Sequence, residues 1–409
     1  MSTILSMILA GGEGTRLYPL TSARTKPAVP FGGNYRIIDF VLSNFINSDL
    51  VSIYVLTQFK SHSLMSHLRQ GWRVSGVVTG HFIDPVPAQM RTGKRWYEGT
   101  ADAIFQNLNL IYDIEPDIVC IFGGDHIYSM DVRQMIKFHG KKKAALTVAA
   151  IPVPVAEAHQ FGVIEVDENW RMIGFEEKPK VDPKTIPGDP GHVLASMGNY
   201  IFNVDPLLKE LIEDADDEQS SHDFGKNIIP KIFPNKPVFV YDFFQNNVPG
   251  MGERERGYWR DVGTIDSYWD SSMDLVKVEP IFNLYNRKWP IRTYQPPTPP
   301  AKFVHVGGEH AGYSSNSVVS SGCILSGAIV ENSILGYGVR AHNSSRIVES
   351  VIMDNVEVGA NARISKAIID KNAKIAPNTV IGEDLEADRQ KYTVSENGIV
   401  VIPKGAQIG

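Results

Sequence analysis

Apolar and polar positions follow two different rules along this chain, and the rule changes near residue 290. Short apolar runs at Ile4–Ala10, Ser52–Thr57, Ile118–Phe122, Ala145–Ile151, Gly162–Val166 and Ala195–Phe202 predict strands. The first few are continuous enough to be buried on both faces of a sheet. Between them, helical periodicity covers Asp39–Asn47, Ser61–Gln70, Thr100–Tyr112, Val132–His139 and Pro206–Ile212. Such alternation predicts an α/β domain over residues 1–275 with a mainly parallel sheet, whose ligands collect at the carboxyl ends of the strands.

Pro290, Pro296, Pro297, Pro299 and Pro300 then crowd into one stretch. Neither a helix nor a central strand survives that density, so residues 276–303 read as a linker or extended strap. Beyond it helical periodicity gives way to a short repeat. Ile352, Val358 and Ile364 fall six apart, Ile369 slips by one, and Ile375 and Ile381 resume the interval. This is the hexapeptide pattern of a parallel β-helix over 304–409, each apolar residue stacking on the next coil. The alternative is an antiparallel sandwich with accidental spacing.

Composition narrows the classes. With 43% hydrophobic and 21% charged residues the chain is an ordinary globular one. A net charge of −6 argues against nucleic acid or an anionic membrane as the main partner, so an anionic ligand has to be met by a local basic cluster. Cys120 and Cys323 lie far apart and outside any C-x-x-C pair, which fits a reducing, cytoplasmic setting without disulfides or zinc. No apolar run is long enough to span a membrane, and Ile4–Ala10 lacks a preceding Lys or Arg and enters glycines directly, so it reads as a strand rather than a leader.

The candidate chemistry begins where that first strand ends. Gly11, Gly12 and Gly14 are followed by Thr15, Arg16, Arg24 and Lys26, placing backbone amides and cations at a strand's carboxyl end. Such a corner receives phosphates, although a plain tight turn also explains the glycines alone. Asp125 ends the buried run 118–122 and suits a Mg²⁺ ligand or a helix N-cap, while Asp131 is the better cap for Val132 onward. Asp261, in Tyr258–Thr264, is a second metal ligand or the salt-bridge partner of Arg260, with Thr264 able to cap a following helix. Glu177 and Lys178 combine a sugar-hydroxyl acceptor with a compact charge for a monophosphate, or form a solvated turn. Trp96, Tyr97, Gly99, Thr100 and Asp102 belong to a loop entering a helix, with Thr100 as its cap and an aromatic pair that walls a pocket or simply packs. The histidines show no zinc spacing, and no serine sits in G-x-S-x-G.

Leu9–Thr21 together with Lys26-Pro27 resembles the signature of the sugar-phosphate nucleotidylyltransferases, and Pro27–Asn44 resembles the glucose-1-phosphate adenylyltransferase branch. Trp96–Ala103, Gly123–Tyr128, Phe175–Pro179, Ser196–Tyr200 and Trp259–Thr264 extend the likeness, which covers essentially the whole chain. The resemblance implies a Rossmann-like catalytic domain followed by a left-handed β-helix. It also implies transfer of an adenylyl group from ATP to α-D-glucose 1-phosphate in bacterial glycogen synthesis, with Mg²⁺ as cofactor and a homotetramer as the assembly. Arg16 and Lys26 match the phosphate-handling cations, Asp125 the catalytic aspartate, and Asp261 its partner on the metal. Tyr97, Gly162, Glu177, Lys178 and Ser196 match sugar-phosphate positions; Gln58 and Trp96 match positions that link effector binding to the active site. Ala23 stands where enterobacterial members carry an effector lysine, while Arg24 and Arg36 remain, so a phosphorylated metabolite other than fructose 1,6-bisphosphate is the expected effector. The rivals are a relative using UTP, dTTP or GTP, and a regulatory subunit without activity. Glu13, an acid inside the phosphate loop, is expected to point away from it.

Overall fold

A computed structural model describes residues 2–73, 80–89, 91, 95–181, 183–306 and 310–409. The large sheet has nine strands, here β1 (Ile4–Leu9), β2 (Ser52–Thr57), β3 (Phe82–Pro87), β4 (Ile118–Gly123), β5 (Leu146–Pro154), β6 (Gly162–Val166), β7 (Met172–Glu177), β8 (His192–Asn203) and β9 (Val238–Asp242). Its parallel centre is β4-β1-β2-β3. The long strand β8 joins this centre antiparallel to β4, then passes between β5 and β6. Parallel β9 lies outside β5, and β7 closes the other edge against β6.

Three strands escape the sequence pattern. Pro85 and Pro87 lower any strand expectation for β3, yet it pairs only with β2, an edge position where the missing amides are tolerated. The edge strand β7 and the short β9 are likewise absent from the apolar runs. The helix expected over 100–112 is two, Thr100–Phe105 and Leu108–Ile114. Asn107 breaks it by donating its side-chain amide to the Ala103 carbonyl, the acceptor its own backbone amide would use, and that amide bonds Ile104 instead.

From Lys302 onward the chain builds three stacked parallel sheets, the left-handed β-helix of the hexapeptide class. Ile352 pairs with Ile369, Val358 with Ile375 and Ile364 with Ile381, all six buried. The one-residue slip at Ile369 therefore closes a coil of two six-residue sides and one of five. Asn332, Asn355, Asn361, Asn372 and Asn378 take the left-handed backbone conformation at the corners, which asparagine tolerates better than most residues.

Between the two parts, residues 276–301 carry neither helix nor strand. Part of this strap lies along the helix Ile37–Asn47, with Trp289 Nε1 donating to Asn44, the Arg292 amide to Ser43 and Thr293 Oγ1 to Asp39. One apolar cluster is common to both parts: Leu17, Phe31, Phe40, Tyr268 and Leu275 pack with Ile334, Val351, Ile368 and Val401. Beside it Arg24 Nη2 donates to both carboxylate oxygens of Asp370 at 2.8 and 3.0 Å, the side chains 2% and 1% exposed. No helix among the described residues is long and apolar enough to cross a membrane.

Candidate active site

Strands β1 and β4 run parallel in register, Leu9 beside Gly123, and the Gly124 amide donates to the Leu9 carbonyl. The glycine corner and Asp125 therefore leave the sheet side by side. Gly14 adopts φ +63 to start the turn Thr15–Leu17, and its carbonyl accepts from the Leu17 amide and Thr21 Oγ1, which fixes the corner. Asp125 precedes a short strand, His126–Tyr128, that pairs with Trp259–Asp261 and sets Asp261 opposite His126. Asp125 is thus no N-cap; Asp131 and Thr264 are the caps of their helices.

Lys26 Nζ lies between the two carboxylates, 2.9 Å from Asp125 and 2.6 Å from Asp261, and Arg16 approaches Asp261 at 3.8 Å. Burial works against charge on Lys26, but the two carboxylates outweigh it and push its pKa up. Burial likewise opposes the Asp125 carboxylate; Lys26 and His126 overcome it and hold that carboxyl well below the usual range. Asp125, His126 and Asp261 each bring a ligand atom within 4.8 Å of the others, and His126 Nδ1 is buried without a hydrogen-bond partner among the described residues. Two carboxylates around one cation form a hard, oxygen-rich donor set, which suits a divalent ion such as Mg²⁺.

These groups line part of the wall of a cavity of about 640 Å³. Its walls include Gly11, Gly12, Gly14, Thr15, Arg16, Lys26, Gln58, Tyr97, Gly99, Asp125, Gly162, Glu177, Lys178, Ser196 and Asp261, so the segments singled out by sequence meet here. Gln58 and Tyr97 hold each other, the Gln58 amide donating to the Tyr97 carbonyl and the Tyr97 amide to Gln58 Oε1. Burial pushes the Glu177 carboxyl up, and Lys178 stands 3.8 Å away.

Asp102 does not line the cavity, and neither do Trp96, Arg24 and Arg36, which the resemblance links to effector control. Asp102 is buried behind the loop, accepting from the Glu98 amide and Gln106 Nε2, because its place in the first helical turn faces inward. Trp96 is 55% exposed and outside it. Arg24 is sealed against Asp370, and Arg36 donates to Ser63 Oγ at 2.8 Å. Glu13 is exposed and also absent from the lining. Thr100 does not cap its own helix; its hydroxyl donates to Asp223 and accepts from the Phe224 amide. Asp223, Gly225, Trp259 and Gly263 line the cavity without having been singled out for it; Trp259 and Gly263 carried a signal, each two residues from Asp261 in the segment Trp259–Thr264.

A family model described as nucleotidyl transferase matches residues 5–278. The chain belongs to this family. A second model, described as GlmU-like C-terminal hexapeptide, matches residues 299–402 of this nucleotidyl transferase. Its relatives include glucose-1-phosphate adenylyltransferase 1 of Vibrio vulnificus and glucose-1-phosphate adenylyltransferase of Photobacterium profundum, each 58% identical over 409 residues and aligned over 100% of both chains. That of an Anaeromyxobacter species is 55% identical over 410 residues with the same full coverage.

Proposed function

We propose that this nucleotidyl transferase joins ATP to α-D-glucose 1-phosphate, releasing pyrophosphate and forming ADP-glucose. The observation that carries the reading is a single cavity lined by a glycine corner, Arg16 and Lys26 together with Glu177, Lys178 and Tyr97. A phosphate oxygen of the sugar phosphate forms a bond to the α-phosphorus of ATP, and the bond from that phosphorus to the bridging oxygen of the departing pyrophosphate breaks. The attacking oxygen is already anionic, so no general base is needed; alignment and charge neutralisation suffice.

In this reading the amides of Gly11, Gly12 and Gly14, with Thr15 and Arg16, bind the triphosphate, and Lys26 offsets charge on the reacting phosphates. Glu177 accepts from sugar hydroxyls, Lys178 faces the monophosphate, and Tyr97, Gly99, Gly162 and Ser196 shape the hexose side. Asp125 and Asp261 would hold Mg²⁺, which when bound neutralises phosphate charge and polarises the P–O bonds. Control by phosphorylated metabolites through Arg24 and Arg36, relayed by Gln58 and Trp96, belongs to the same reading. Arg24 Nη2 is paired with Asp370, while its Nη1 is buried without a hydrogen-bond partner among the described residues, so an anion reaching Arg24 has to enter that buried seam. A cytoplasmic homotetramer serving glycogen synthesis completes the proposal and rests on the family resemblance of the sequence motifs alone.

Pyrophosphate release is the test, with ATP, UTP, dTTP and GTP each offered alongside α-D-glucose 1-phosphate and Mg²⁺. Preference for ATP by about tenfold or more, a difference of ~1.4 kcal/mol in transition-state binding, is expected. Preference for another nucleotide, or no release at all, overturns the reading.

A further inference from the structure

We propose that His222, anchored by Asp214, is a positioning residue that sets the hexose-facing wall of the cavity. This inference rests on the function proposed above. His222 is buried, and its Nδ1 donates to Asp214 Oδ2 at 2.8 Å. Asp214 is itself buried; its other oxygen accepts from Ser220 Oγ at 2.7 Å and faces Lys231 Nζ at 3.6 Å. The Ser220 hydroxyl in turn accepts from the His222 amide. Beyond the ring, Nε2 faces Glu98 at 3.9 Å, and Glu98 lines the cavity while taking a 2.9 Å bond from Arg95. A buried aspartate thus fixes an imidazole whose far side looks toward the lip of the site.

The backbone of the same residue stitches two walls together. The His222 carbonyl accepts from the Ala101 amide at 2.8 Å and the Asp102 amide at 3.3 Å, closing the free amino end of the helix Thr100–Phe105. The contact is so close that a Cβ on Gly99 would stand 2.2 Å from that carbonyl oxygen, which explains the glycine without reference to any ligand. His222 reaches this geometry at φ +51, a conformation that most side chains resist and that the Asp214 bond holds in place. Asp223 follows immediately, bound by Thr100 Oγ1, and Gly225 lies against Glu177, where an added Cβ would be 3.1 Å from Oε2. Turning His222 would therefore move Gly99, Asp223 and the backing of Glu177 together. Arg16, Lys26, Asp125 and Asp261 stand on other segments and are held by ion pairs among themselves, so their placement does not depend on His222.

The test uses the full chain, with KM measured separately for each substrate in three proteins. In His222→Ala, KM for α-D-glucose 1-phosphate is expected to rise about tenfold, as fits loss of a buried hydrogen bond to a charged group, while kcat and KM for ATP stay within about twofold. Asparagine accepts positive φ and its amide can replace Nδ1, so His222→Asn should bring KM for the sugar phosphate back to within about threefold of wild type. Equal rises in both KM values, or a rise in neither, overturns the inference, as does an asparagine variant no better than alanine. Should His222→Ala fail to fold, His222→Asn with Asp214→Asn, which removes the anchoring charge, decides it by the same split between substrates. If the wild-type chain releases no pyrophosphate from ATP and glucose 1-phosphate, the functional reading fails and not the positioning role alone.

Discussion

Arg24 and Lys26 are separated only by the buried Thr25, whose hydroxyl donates to Ala10 and Gly12, yet their ion pairs are opposites. Arg24 meets a single carboxylate at the seam between the α/β part and the β-helix, with no solvent on either side. Lys26 meets two carboxylates at a cavity wall, and Asp125 keeps 35% of its side chain exposed. A sealed pair has nothing to exchange with and acts as a fastening, whereas an open pair can release one contact as a ligand brings another. The difference is set by the distant elements that bring each partner carboxylate, since residue type and sequence position barely distinguish the two cations.

Asp370→Ala presses hardest on this contrast. It leaves Arg24 buried without a counter-charge and should lower stability by about 3–5 kcal/mol, read from the midpoint of chemical denaturation. A midpoint equal to that of wild type would mean that the sealed pair fastens nothing. Asp125→Asn should behave in the opposite way, lowering kcat by on the order of 10²–10³ with the denaturation midpoint near wild type. Near-normal turnover in that variant would remove the functional side of the comparison.

The smallest expected effect concerns Glu177, a further open pair. Burial, with the Asp223 carboxylate adding to it, raises its pKa, and Lys178 and Lys226 oppose the shift. An acid whose folded pKa is raised takes up its proton at higher pH than the unfolded chain does, so its ionised form is lost first as pH falls toward the ordinary glutamate value of about 4.3. KM for α-D-glucose 1-phosphate should accordingly rise as pH falls through the window just above that value, and Glu177→Gln should flatten the dependence. A profile identical in wild type and Glu177→Gln would exclude Glu177 as a sugar acceptor.

What could be read from the chain depended on how local each cause was. Strands β2 and β6 have the residue limits that the apolar runs mark, and the hexapeptide spacing located the buried column of the β-helix, because burial on a regular element leaves a period in the sequence. The glycine corner, Arg16 and Lys26 were legible as one contiguous motif. Asp261 beside Asp125 came only with the family resemblance; its own segment left it a metal ligand or a partner of Arg260, since the meeting depends on a two-stranded ladder between distant segments. Asp370 as the partner of Arg24 lies 346 residues away, and the link from Asp214 through His222 toward Glu98 joins three segments that no spacing rule connects. Asp102 misled for a related reason: a polar residue in a first helical turn reads the same whether it faces a ligand or holds up the loop beside one.

The apolar cluster shared by the two parts also bears on how the protein is made. Leu17, Phe31, Phe40 and Tyr268 are covered by Ile334, Val351, Ile368 and Val401, all encoded toward the end of the chain. At ~5–20 residues per second the ribosome delivers Val401 roughly ten seconds after Leu275. During that interval the nascent α/β part has an uncovered greasy flank, and newly synthesised chains should engage chaperones at this face until the last coils emerge.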